Sequence, residues 1–66
     1  MLLRVIETTD KQHIGMTFEV DPENIPTEYM LPDGDFIKID RVERFDGGLK
    51  RISSPNYVAW LIEVSE

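Results

Sequence analysis

His13 is the only histidine in the chain, and Ser53, Ser54 and Ser65 are its only serines. On paper these supply an imidazole base and a hydroxyl nucleophile, with any of thirteen carboxylates to orient them. Yet His13 ends the polar run Thr8-Thr9-Asp10-Lys11-Gln12-His13, where a surface role is the simpler reading. A chain of 66 residues also has little room for a water-excluded pocket. Asp33-Gly34-Asp35 has the look of a calcium-loop fragment, but such a loop needs further oxygen ligands at fixed spacing and a closing Glu. A tight turn would want the same residues. The sequence therefore predicts no enzyme, no metal site and no cofactor.

Charge is the stronger signal. Glu19, Asp21, Glu23, Glu28, Asp33 and Asp35 fall within residues 19–35 with no Lys or Arg among them. The rest of the chain balances, seven acids against seven bases, so the net charge of -6 resides in this one segment. Such a local field is something a basic surface can recognise. It also argues against direct nucleic-acid binding, because phosphates would be repelled. Nucleic-acid mimicry is disfavoured too, since six charges on an extended segment fall roughly every 9 Å, far sparser than the phosphates of a duplex.

Inside the acidic segment lies Tyr29-Met30-Leu31. In a strand, Met30 points away from its two neighbours, so one side of the triplet leaves the core. An apolar anchor with a charged rim is the anatomy of an interface, and the predicted partner-binding residues are Glu23, Glu28, Tyr29, Met30, Asp33 and Asp35. Lys38, Arg41, Arg44, Lys50 and Arg51 form a basic counterpart around Phe45, read as a strand face paired with Asp40, Glu43 and Asp46.

The elements that must position these groups are strands. Leu2 to Glu7 and the alternating Ile14, Met16, Phe18 and Val20 predict a hairpin joined by the polar turn. Asp21-Pro22-Glu23-Asn24-Ile25-Pro26 has two prolines and must be a connection. Thr27 to Leu31, Pro32-Asp33-Gly34 and the return from Asp35 read as a second hairpin. Along residues 36–45, Ile37 and Ile39 share one parity and Val42 the other, which calls for a bulge or bend near Asp40-Arg41. Asp46-Gly47-Gly48 sets Phe45 opposite Leu49, Glu43 opposite Arg51 and Val42 opposite Ile52, and leaves Arg44 facing Lys50 across a gap that solvent screens.

After a turn at Ser53-Ser54-Pro55-Asn56, the last strand runs from Tyr57 to Val64. Its bulkier set, Val58, Trp60, Ile62 and Val64, is assigned to the interior. Tyr57, Ala59 and Leu61 then face outward, a patch expected to be covered by self-association as a homodimer. The fold class is all-β, a small antiparallel meander of five to six strands, either an SH3-like or OB-like barrel or a strongly curved sheet.

Sixty-six residues suit one domain with a thin core, about 4,300 Å² of folded surface from about 11,000 Å² unfolded. There is no cysteine for disulfides or thiolate sites, and the apolar Met1 to Ile6 is too short for a signal core or membrane span, so a cytoplasmic protein without membrane contact is expected. The leading expectation is a non-enzymatic protein-binding domain acting on a basic surface, in the size and charge format of inhibitors and adaptors encoded by phages and other mobile elements. A minor virion or scaffold component and a nucleotide- or small-ligand-sequestering dimer are the alternatives.

Overall fold

Alternating side chains and glycine- or proline-marked turns produce seven strands in the computed structural model, which describes residues 1–55 and 57–64. They are β1 (Leu2–Thr8), β2 (Thr17–Glu19), β3 (Thr27–Met30), β4 (Phe36–Ile39), β5 (Arg41–Arg44), β6 (Leu49–Ser54) and β7 (Tyr57–Glu63). Five make one antiparallel sheet in the order β2-β1-β7-β6-β5, and β3 and β4 pair only with each other. The chain is thus all-β with two antiparallel sheets, and no barrel closes.

The chain changes sheets at Asp40, the single residue between β4 and β5. This is the bend that the parity slip requires. Ile37 and Ile39 fill the core from the small sheet, while the half-buried Val42 joins from the large one. Leu3, Val5, Phe18, Val20, Ile52, Ala59 and Leu61 complete the core from the five-stranded sheet and the end of its first hairpin, and Leu31 closes it from the second. The β3–β4 hairpin therefore lids the inner face of the larger sheet.

Both tight hairpins keep the register their turns dictate. Thr27 faces Ile39 and Met30 faces Phe36, with Gly34 at a φ of 93° that a side chain would strain. Val42 faces Ile52, Glu43 faces Arg51, and the Phe45 amide donates to the Leu49 carbonyl at 2.9 Å. The Arg44–Lys50 pairing is real, but only its Arg44 end is open to solvent, because Lys50 is 5% exposed. Its Nζ lies 3.3 Å from Glu63 Oε1 and donates to the Gly48 carbonyl at 3.3 Å.

Three expectations are corrected. The strand expected from Ile14 starts only at Thr17, since Gly15 turns the chain at positive φ and leaves Ile14 exposed. His13 is not a surface residue but 3% exposed. And the faces of the last strand are inverted. Ala59 and Leu61 are fully buried and Tyr57 packs on the core, whereas Val58 is 44% exposed. The cause is register: β7 is the central strand, and Ala59 lies beside Ile52 and Leu61 beside Val5, both inward-facing. Ala59 and Leu61 therefore cannot belong to a surface self-association patch, and of the expected set only Tyr57 stays partly accessible. Asn56, which belonged to the expected turn, lies outside the described residues.

Candidate functional site

The second hairpin carries the candidate site. Leu31-Pro32-Asp33-Gly34-Asp35 closes it, with the Leu31 amide donating to the Asp35 carbonyl at 2.7 Å and the Gly34 amide to the Leu31 carbonyl at 2.9 Å. Because Tyr29 and Ile37 face inward, their neighbours Glu28, Met30, Phe36 and Lys38 must face out. Met30 and Phe36 are directly opposed, and they are 61% and 63% exposed. Glu28 faces Lys38 at the next outward position. Beside them runs a groove of about 390 Å³ whose lining includes Glu28, Phe36, Lys38, Pro55 and Tyr57.

Of the six residues expected to meet a partner, five lie on accessible surface: Glu23, Glu28, Met30, Asp33 and Asp35. Tyr29 is only partly accessible. Its Oη donates toward the carbonyls of Asp21, at 3.0 Å, and Asn24, at 2.9 Å, and accepts from the Asp21 amide at 3.3 Å. The ring packs against the core, so Tyr29 pins the proline-bearing connection to the hairpin. Phe36 is the residue that sequence reading missed. Its signal was present in the Ile37/Ile39 parity, which forces Phe36 outward, and in the turn, which sets it against Met30.

No family model, curated protein or solved structure matches the chain. The site is accordingly read from its own chemistry.

At the other side of Asp35 lies a second cluster. A 3-10 turn, Lys11–His13, is capped by Asp10, whose Oδ1 accepts from the Gln12 amide at 3.2 Å. The turn drives His13 under the β3–β4 loop. His13 Nε2 sits 3.0 Å from Asp35 Oδ2, 3.5 Å from Asp10 Oδ2 and 3.7 Å from Asp33 Oδ2. On the other side of the ring, Nδ1 is 3.0 Å from Tyr57 Oη. Burial, the dominant influence, pushes the Tyr57 phenol above the usual tyrosine range, with the Asp10 and Asp33 charges adding to it and a hydrogen bond to Thr8 opposing.

The outer face of the five-stranded sheet is a third surface. Trp60 lies at its centre, tilted against Phe45 at 5.3 Å between ring centroids and covered by the Arg51 guanidinium at 5.4 Å. Arg51 also donates to Glu43 Oε1 from Nη2 at 2.6 Å, a contact that holds the Glu43 carboxyl below the usual carboxylate range. Ile6, Phe45 and Val58 are exposed around this centre, and a groove of about 460 Å³ runs between Glu7, Thr8, Thr9, Lys11, Val58 and Trp60.

Proposed function

We propose that this chain is a non-enzymatic binding domain that engages a basic protein surface through the outer face of its second hairpin. One observation carries this reading: Met30 and Phe36 stand side by side and exposed on a two-stranded sheet whose flanking segment holds six acids and no base. Exposed large apolar side chains rimmed by charge favour association, the apolar pair supplying buried area and the carboxylates supplying steering and register. An inhibitor or adaptor of phage or mobile-element type remains the biological role that size and charge suit best.

The test is capture from lysate at low and high salt. Replacing both Met30 and Phe36 by Asp should abolish capture at either salt and leave the melting temperature near that of the parent. Glu23→Gln with Glu28→Gln should weaken capture at low salt and make little difference at high salt, where the rim is already screened. Capture that survives the Met30/Phe36 double variant overturns the reading.

A second reading concerns self-association, for which the exposed Ile6, Phe45 and Val58 around Trp60 speak. Two copies pairing through these outer faces would bury them and leave both hairpins free. Light scattering would then give twice the 7.7 kDa chain mass at micromolar concentration, and Val58→Lys with Phe45→Lys would return it to one chain mass. A single-chain mass for the parent ends this reading.

A further inference from the structure

The cluster around His13 holds more negative charge than a histidine can use. Three carboxylates from two separate loops aim an oxygen at one buried ring nitrogen, within 3.0, 3.5 and 3.7 Å. Nε2 can donate one proton to one of them. Asp35 Oδ2 takes that place at 3.0 Å, which leaves Asp10 Oδ2 and Asp33 Oδ2 converging on the same point with no further protein donor there among the described residues. Even with a charged imidazolium the cluster would carry an excess of two negative charges. The carboxylates of Asp10, Asp33 and Asp35 are 44%, 27% and 56% exposed, so water screens part of their repulsion, and a cation drawn to the same point would screen it further.

We propose that Asp10, His13 and Asp35 bind a divalent transition-metal cation, with Asp33 as an additional carboxylate at its edge. The donor atoms of the three lie within 4.8 Å of one another. Ligands at about 2.0–2.2 Å from one ion sit roughly 3 to 3.5 Å apart, so a small rotation of exposed carboxylates closes the set. One imidazole with carboxylate oxygens suits Zn²⁺, Co²⁺ or Mn²⁺, whereas Mg²⁺ and Ca²⁺ prefer oxygen alone. Tyr57 Oη, 3.0 Å from Nδ1, is placed to accept a hydrogen bond from Nδ1–H in the tautomer that presents the Nε2 lone pair to the ion, the outer support that metal-bound histidines generally have. Three protein ligands leave a position for water. Because Asp10 and His13 belong to the first hairpin and Asp35 to the second, the ion ties the lid to the large sheet.

The experiment uses the tag-free chain. Calorimetric titration with ZnCl₂ should give one equivalent bound, the melting temperature should rise with Zn²⁺ and not with Mg²⁺, and CoCl₂ should produce visible d–d absorption bands. Asp10→Asn, a half-exposed ligand whose loss the fold tolerates, should weaken Zn²⁺ binding by at least about tenfold, and Tyr57→Phe by about 10- to 100-fold, the usual size of an outer-support effect. Asp46→Asn, an exposed acid outside both the cluster and the second hairpin, should leave Zn²⁺ binding unchanged. Failure of the parent chain to bind Zn²⁺ or Co²⁺ saturably up to millimolar concentration overturns the proposal. So does Zn²⁺ binding of unchanged strength in Asp10→Asn.

Discussion

Lys50 offers the sharpest test at the scale of single residues. Its ammonium is buried, and Glu63 is the carboxylate that answers it, at 3.3 Å. Glu63 is itself half exposed, so solvent screens part of the attraction. Removing the partner leaves a buried charge, whereas removing the lysine removes the desolvation cost together with the pair. Glu63→Ala should therefore cost roughly 1–2 kcal/mol in urea unfolding, while Lys50→Met stays within about 1 kcal/mol of the parent or exceeds it. The reverse order would mean that the lysine stabilises the fold by its charge. Neither Lys50 nor His13 was legible as buried in the sequence, and for one reason. Their environments are assembled from Glu63 in one case and from Asp35 and Tyr57 in the other, residues that only the folded chain brings near.

At the scale of elements, the two tight turns were legible, whereas the alternation of Ile14, Met16, Phe18 and Val20 overran β2, which starts only at Thr17. Pro32-Asp33-Gly34 and Asp46-Gly47-Gly48 fix their hairpins to the residue, because a tight turn sets register without help from the rest of the chain. β7 escaped such reading. A strand apolar on both faces has no internal signal for which set is inside, and the bulkier set, with Trp60, was the wrong choice. Register against Ile52 and Val5 decides it, and that information lies in other strands. Leu61→Ala should consequently cost about 2–5 kcal/mol, as for a fully buried leucine, and Val58→Ala well under about 1 kcal/mol. Denaturant unfolding of the two variants compares them directly, and equal losses would contradict the assigned faces. The same inversion leaves Val58 exposed, as Phe45 and Ile6 are elsewhere on the large sheet's side of the chain.

For the molecule as a whole, size alone anticipated the surface, about 4,300 Å² from scaling against 4220 Å² found. Closure was not legible, because whether the β3–β4 hairpin pairs with the sheet or merely lies on it depends on how the chain turns at Asp40. Among the described residues no helix is long and apolar enough to cross a membrane. The lid is held to the large sheet by side chains, chiefly Leu31, Ile37 and Ile39 in the core and His13 against Asp35, and among the described residues no ladder of backbone hydrogen bonds crosses between the sheets. Side-chain packing can be lost locally without breaking a ladder, so lifting of the hairpin about Asp40 is expected to cost less than global unfolding. Amide hydrogen exchange should show this: β3 and β4 protons exchanging together and early, those of the central β7 last, and the gap between the two groups narrowing when the Asp35 contact is strengthened. A chain this short would then have two thermodynamic parts, a stable sheet and a hairpin that samples an open form.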